Sequence, residues 1–333
     1  VGCDFTAVDF ETANGFRGSA CAVGMVRVRD AQVVETARWL IRPPEGFDHF
    51  DARNVQIHGI HPDDVKEAPR FAEVYPRIEA FLGDDVFVAH NAAFDTGVIQ
   101  AGLQVSGRSV SALDSVCTVK LARKTYTLAS YSLPFAAEAA GFRLEDHHDP
   151  LADALACAHI GIDVTARADT GSIMDAAMAL GVEKGHLNSW APGDPQCREV
   201  VDAVGWRAAG HTLPRQPGPP WPTEGKNLEP AADADPSNPL FGETVVFTGD
   251  LGIPRPEAKR RAAAVGARTA DRVTRATTVL VVGDGFVAED ITAGRLTRKA
   301  RHALALQEQG RPVEIVSEAE FLQRVGGTWP AAL

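Results

Sequence analysis

The run Asp4-Phe5-Thr6-Ala7-Val8-Asp9-Phe10-Glu11-Thr12 has the alternation of a half-buried β-strand. Successive side chains point to opposite faces, so Phe5, Ala7, Asp9 and Glu11 share one face while Val8 and Phe10 share the other. Two acids at i and i+2 lie about 6–7 Å apart along a strand and repel each other when nothing compensates them. Either that face meets solvent where the strand ends, or the pair is there to hold something positive.

Two further acids weigh on that choice. Val86-Phe87-Val88-Ala89 reads as a buried strand running into His90-Asn91-Ala92-Ala93-Phe94-Asp95, which places Asp95 in the first turn of the next helix. On its own such an acid is accounted for by the helix dipole, an effect of under about 2 kcal/mol. In His147-His148-Asp149-Pro150-Leu151-Ala152-Asp153-Ala154, Pro150 suits a helix's first turn and Asp153 follows it. Ala156, Cys157 and Ile160 stand at i+3, i+4 and i+7 from Asp153, so that carboxylate belongs to an apolar stripe. A buried carboxylate needs a cation or several donors, and no Lys or Arg stands near it in sequence. Asp9, Glu11, Asp95 and Asp153 together make an all-oxygen set that suits magnesium or manganese better than zinc. Two such ions about 3.5–4 Å apart would clamp the attacking and leaving oxygens of a phosphodiester displacement. His148, just ahead of the helix, has the spacing of a general base, with His147 as its competitor.

Around these motifs, Cys21–Val28 and Gln32–Ile41 read as further strands. Phe71–Leu82, Phe94–Ala101, Leu133–Ala140 and Pro150–Ala166 read as helices. Strands first and helices interleaved later predict an α/β fold with a mixed sheet. His58 and His61, in a stretch read as a loop, are expected to hydrogen-bond backbone rather than ligate a metal. Ser172–Leu180 reads as a short helix with Ser172 as N-cap. Ten of the 21 prolines then fall between 190 and 239, the composition of a semi-extended linker. From Phe241, strands at Thr244–Thr248, Thr278–Val282 and Val313–Val316 alternate with helices at Glu257–Val265, Arg298–Gln309 and Glu318–Val325. The alternation predicts a second, smaller parallel-sheet domain. The expected organisation is therefore 1–168, a helical segment and linker at 169–240, and 241–333.

The whole chain, 333 residues with 45% hydrophobic and 23% charged, has ordinary globular composition. Five widely spaced cysteines form no C-x-x-C pair, which argues for reduced thiols over a disulfide framework or structural zinc. No apolar run approaches the roughly 18–20 residues of a membrane span, and the first residues show no n-region or h-region. A cytoplasmic protein without membrane contact is expected. The net charge of -11 excludes a generally basic nucleic-acid binder but not a local site.

Asp9-Phe10-Glu11, His90-Asn91-x-x-Phe94-Asp95 and His148-x-x-x-x-Asp153 resemble the three motifs of the DEDDh 3′→5′ exonucleases, the proofreading epsilon-subunit type with an RNase H-like fold. Ile57-His58-Gly59-Ile60 and Tyr131-Ser132-Leu133-Pro134 fit the same family, over residues 4–165. The resemblance implies two Mg2+ or Mn2+ ions on Asp9, Glu11, Asp95 and Asp153, with His148 as base. It also implies a terminal nucleotide against Thr12, Ala13, His90, Asn91 and Phe94. Ala13-Asn14 stands where Thr-Gly is frequent in the family. Residues 241–326 resemble a BRCT domain through Gly242-x-x-x-x-Phe247-Thr248-Gly249, Ala264-Val265-Gly266-Ala267, Thr278–Gly283, Lys299-Ala300 and Ile315-Val316-Ser317-Glu318-x-x-Phe321. By that resemblance Thr248, Gly249 and Lys299 would bind phosphate. Sequence spacing leaves open whether they meet, or whether Thr248 caps and Lys299 is solvated. Phe321 replaces the family's frequent tryptophan.

The expected function is release of nucleoside 5′-monophosphates from a DNA 3′ end in repair or proofreading, with the second domain holding a DNA end or a replication or repair protein. Trimming of RNA or short oligoribonucleotides is the alternative within the enzyme class. A non-catalytic scaffold with a vestigial nuclease domain is the alternative outside it.

Overall fold

In a computed structural model of the chain, β1 (Phe5–Thr12) pairs antiparallel with β2 (Ala20–Arg29), which pairs antiparallel with the edge strand β3 (Gln32–Leu40). On its other side β1 runs parallel to β4 (Phe87–Ala89), and β4 parallel to β5 (Leu113–Cys117). A short antiparallel β6 (Gly185–Leu187) closes the six-stranded order β3-β2-β1-β4-β5-β6. This is a six-stranded mixed sheet, as the order of strands and helices predicts. Three helices lie between β3 and β4: α1 (Ala52–His58), α2 (Pro62–Val65) and α3 (Phe71–Leu82). After β4 come α4 (Ala92–Val105), α5 (Thr118–Thr125), α6 (Leu133–Ala139), α7 (Pro150–Arg167) and α8 (Ile173–Ala179).

The structure describes residues 2–193, 224–249, 251, 253–283 and 296–325. These form two compact units, the first from 2–126 and 136–193 and the second from 127–135 and 224–325. Among the described residues no helix is long and apolar enough to cross a membrane. Cys3, Cys21, Cys117 and Cys157 are unpaired, and Cys197 lies outside the described residues.

Both faces of β1 are covered. Val8 and Phe10 belong to a core with Phe71, Ile78, Ile99 and Leu103, from α3 and α4. The opposite face, with Phe5 and Ala7 at 0% exposure, lies under α7, and toward the strand end Asp9 and Glu11 keep partial exposure. The approach of α7 depends on one glycine. Gly24 of β2 stands opposite Asp9, and a Cβ there would fall 2.1 Å from the Pro150 carbonyl oxygen and 2.5 Å from the Leu151 nitrogen. The absent side chain is what lets the first turn of α7 settle onto the sheet beside the strand that carries the acids.

Several elements carry too little pattern to be read from sequence. β5 and β6 are short, and α1, α2 and α5 span four to eight residues. The interval 169–240 is also less of a linker than its composition suggests. Ser172 caps α8, accepting from the Asp175 N–H at 3.1 Å, and β6 belongs to the main sheet. Residues 224–240 pack onto the second unit by backbone bonds that leave no periodic signature, such as Ala231 N–H to Ala263 O at 2.8 Å.

The second unit is a four-stranded sheet, all parallel. Its strands β7 (Thr244–Thr248), β8 (Arg268–Ala270), β9 (Val279–Val282) and β10 (Glu314–Ser317) run in the order β10-β9-β7-β8. Val245, Phe247 and Val281 pack with Ala258, Ala262 and Phe321 on one face. Val246 and Leu280 pack with Ala300, Ala303 and Leu306 on the other. Helices therefore cover both faces of a parallel sheet, the arrangement such sheets require.

Gly24→Ala should destabilise the fold by about 1–3 kcal/mol, the usual cost of overpacking, read as a lower urea midpoint. Gly15→Ala, where a Cβ meets nothing within 4 Å, is the control. Equal midpoints for the two variants would contradict this packing of α7.

Candidate active site

Asp9 and Glu11 project from the end of β1, where pairing with β2 slips between Glu11 and Thr12. Beyond the slip, α1 holds the chain: Asn54 Nδ2 donates to the Thr12 carbonyl at 2.7 Å and His58 Nε2 at 3.2 Å. His58 Nδ1 accepts from the Ile60 N–H at 3.0 Å, so both ring nitrogens serve the backbone, as expected, although His58 ends a helix rather than sitting in a loop.

Asp95 reaches β1 from the first turn of α4. Because β4 pairs with β1 only at Thr6 and Ala7, the Phe10 N–H beyond it is left without a strand partner there, and Asp95 Oδ1 accepts it at 3.1 Å. The turn into α4 passes through Asn91 in the left-handed region, φ 80°. Asp153 comes from α7, whose N-cap Asp149 accepts from the Leu151 and Ala152 N–H groups at 3.0 and 3.1 Å. Asp153 Oδ2 accepts from the His148 N–H at 3.1 Å.

These anchors bring oxygens of Asp9, Glu11 and Asp153 within 4.8 Å of one another. Asp95 is 2% exposed and Asp153 4%, while Asp9 and Glu11 stay partly open. Asp9 Oδ2 is shut off from solvent with no hydrogen-bond partner. Burial raises the Asp9 and Glu11 carboxyls well above the usual range, and the facing carboxylates of Asp153, Asp95 and Asp149 raise them further. Burial also raises Asp95, to about 8, against the opposing pull of the Phe10 and Asp95 N–H groups and Arg17.

The imidazole on Asp153 is that of His147, with Nδ1 3.1 Å from both carboxylate oxygens. His148 has a left-handed backbone, φ 75°, and its ring stacks on His147 at 3.7 Å between centroids. His147, His148 and Asp153 form a second set of candidate ligand atoms within 4.8 Å. Of the residues expected at the nucleotide, Thr12 is nearly buried and Phe94 half-buried, and His90 Nδ1 lies 2.9 Å from Thr118 Oγ1. Ala13 is different. It is 0% exposed in a small apolar cluster with Cys21, Ala22, Ile60 and Val65, its N–H and C=O taken by Ser19 and Asp51. The chain turns inward here, just past the slip between Glu11 and Thr12. Sequence reading missed Asp149 and Arg17 as charges on the acid cluster; the Asp149-Pro150 capping signal was the available clue for the first.

In the second unit, Thr248, Gly249 and Lys299 each bond a neighbour around the end of β7. Thr248 Oγ1 donates to Thr297 Oγ1 at 2.8 Å, and Lys299 Nζ reaches the Phe247 carbonyl at 2.8 Å and Glu224 Oε1 at 3.1 Å. Arg255 adds bonds to Gly249 O at 2.7 Å and Glu224 Oε1 at 2.5 Å. Lys299 is thus engaged rather than solvated.

Residues 6–160 match the family model RNase_T, described as Exonuclease. A DNA polymerase III PolC-type from Clostridium perfringens is 31% identical over 163 residues, 47% of this chain but 11% of that protein. The chain thus spans about a tenth of the length of the curated relatives it matches. The crystal structure of E. coli exonuclease I in complex with a dA16 oligonucleotide aligns with TM-score 0.43 and 17% identity, over 50% of this chain and 41% of that one. The nuclease domain of 3′hExo, a DEDDh family member bound to rAMP, aligns with TM-score 0.41 and 16% identity, over 49% and 92%. Residues 6–160 thus resemble an exonuclease domain by the family match, and the carboxylate cluster lies within them.

Proposed function

We propose that the first unit is a divalent-metal-dependent 3′→5′ exonuclease that releases nucleoside 5′-monophosphates from DNA. The observation that carries the reading is the convergence of Asp9, Glu11 and Asp153 oxygens within 4.8 Å, inside the exonuclease-matched residues. Asp9 Oδ2, buried without a partner, fits a missing cation: a carboxylate oxygen stripped of water and donors is costly unless positive charge reaches it. The set is all oxygen, which suits magnesium or manganese. Two such ions held by Asp9, Glu11, Asp95 and Asp153 would stabilise the attacking and leaving oxygens of the phosphodiester displacement.

The chain's own residues supply the rest. His148 takes a proton from the attacking water. The water oxygen bonds to phosphorus, the bond to the 3′ oxygen of the preceding nucleotide breaks, and that oxygen acquires a proton. The Asp153 bond to the His148 N–H fixes the base's backbone beside the ligand set. Thr12, His90, Asn91 and Phe94 would contact the terminal nucleotide.

For a BRCT-like domain at 241–333 after the 169–240 segment, we propose phosphate binding by Thr248, Gly249 and Lys299, supported by the Lys299 bond to the carbonyl of Phe247, the residue before Thr248, and by the Thr248 bond to Thr297, the N-cap of the helix that carries Lys299. Its ligand would be a DNA end or a replication or repair protein, which places the chain at the nucleoid in the cytoplasm.

Three measurements test this reading. On 5′-labelled oligonucleotides with Mn2+, wild type should give a ladder shortening from the 3′ end. Asp9→Asn and Asp153→Asn should give none, and His148→Ala should be slower by about 10²–10⁴-fold. Matched RNA oligomers should be cleaved more slowly than DNA. Full activity in Asp9→Asn would contradict the mechanism.

Second, in chelator the folded protein holds protons on Asp95 up to about 8, against 3.8 for an ordinary Asp, and Asp9 and Glu11 shift the same way. The folded state then binds more protons than the unfolded one across that window, so stability falls as pH rises through it. The melting temperature in EDTA should be lower at pH 8 than at pH 5, and Mn2+ should narrow the gap. An unchanged gap would argue against cation binding by these acids.

Third, Lys299→Ala should weaken binding of 5′-phosphorylated DNA measured in EDTA, and a matched 5′-hydroxyl DNA should bind wild type no better than the variant.

A further inference from the structure

The approach to the acid cluster from α4 contains a cation that the proposed chemistry does not use. Arg17 stands in the β1–β2 connection, on a turn pinned from both sides. Asn14 Nδ2 donates to the Phe47 and His49 carbonyls at 2.8 Å each, and its Oδ1 accepts from the Phe16 N–H at 3.0 Å. Ser19 Oγ donates to the Phe16 carbonyl at 2.6 Å, and the Phe16 and Phe47 rings lie 4.4 Å apart. These bonds and the ring contact fix the turn on either side of Arg17.

The guanidinium lies across the first turns of α4. Its Nη1 donates to the Ala93 carbonyl at 3.1 Å, and its central carbon is 5.9 Å from the Phe94 ring centroid. A Cβ on Gly97 would fall 2.2 Å from Nη1 and 3.1 Å from the central carbon, so the guanidinium lies directly over the bare Cα of Gly97 and would have to shift for a larger residue. The Nε is closed off from solvent with no hydrogen-bond partner. A guanidinium offers five N–H donors, and one that has lost hydration while leaving a donor unpaired is energetically incomplete. Arg17 as a whole keeps partial exposure and spends one donor on Ala93, so an anionic oxygen that reaches its other donors would form charge-assisted bonds.

Position decides which anion. Arg17 is anchored on Ala93, Phe94 and Gly97, the residues that flank Asp95 in the first turns of α4, whereas Asp9, Glu11 and Asp153 come from β1 and α7. Its place is therefore at the α4 side of the acid cluster. We propose that Arg17 is a substrate-binding residue whose guanidinium takes a non-scissile phosphate of the nucleic-acid strand, one linkage 5′ of the bond that is cut. The assignment rests on the exonuclease reading. It supplies a positive contact for a strand that otherwise meets a rim of acids.

The test compares two substrates of the full-length chain with Mn2+. One is a 5′-labelled single-stranded DNA oligomer. The other is the p-nitrophenyl ester of thymidine 5′-monophosphate, which has a scissile phosphodiester and no second phosphate. Arg17→Ala should lose at least tenfold more kcat/KM on the oligomer than on the ester, through KM. Its log KM should also depend less steeply on log salt, by about the 0.7 expected for one lost contact to a single strand. Arg17→Lys should recover part of the oligomer loss. Arg17→Gln keeps a donor for Ala93 and gives the same comparison if the alanine variant is poorly folded. Equal losses on both substrates would overturn the proposal in favour of a positioning role through Asp95, and no loss on either would overturn it outright. Failure of wild type to cleave either substrate would instead remove the exonuclease reading on which it rests.

Discussion

Carboxylates a few ångströms apart in a desolvated pocket repel one another, and the first unit is organised around holding four of them against that repulsion. Each is tied by backbone. Asp9 and Glu11 are fixed by the strand itself, Asp95 by the Phe10 N–H, and Asp153 by the His148 N–H. Much of the rest follows from bringing these anchors together. Gly24 admits the start of α7, β4 ends early enough to leave Phe10 for Asp95, and Asn54 and His58 hold the chain just past Glu11. Without cations the arrangement is costly, which is why burial and mutual repulsion push Asp9, Glu11 and Asp95 toward their protonated forms. A site that is stable only when neutralised is one built to take up positive charge.

What could be read from sequence is what local periodicity encodes. Asp153 in an apolar stripe, Asp95 in a first turn and the i, i+2 pair of Asp9 and Glu11 each declare their environment within ten residues. The long helices and the three first strands are legible for the same reason. What escaped depends on contacts across the chain or on short elements. Nothing near Arg17 announces that its guanidinium will lie against Phe94 and Gly97, nearly eighty residues on. The spacing that favours His148 cannot tell that the ring on Asp153 belongs to His147, because a left-handed residue at His148 redirects the chain. The strand pattern likewise does not announce that Ala13, just past the slip after Glu11, packs its side chain among Cys21, Ala22, Ile60 and Val65.

The second unit follows a different logic, in which cations gather around an anion already present. Arg255 and Lys299 both bond Glu224, a residue in the stretch whose proline content suggests a linker. Lys259, with 0% exposure, is held by Asn227 at 3.0 Å and by Asp271. Residues 224–228 thus belong energetically to this unit. The net charge of -11 conceals both arrangements: acids concentrated at one site, and bases at another.

The most direct measurement is anomalous diffraction from crystals of the full chain grown with manganese. The account predicts anomalous density between the Asp9, Glu11 and Asp153 carboxylates, lost in Asp9→Asn. Ordered carboxylates with no anomalous density between them, at manganese concentrations that saturate surface sites, would contradict it.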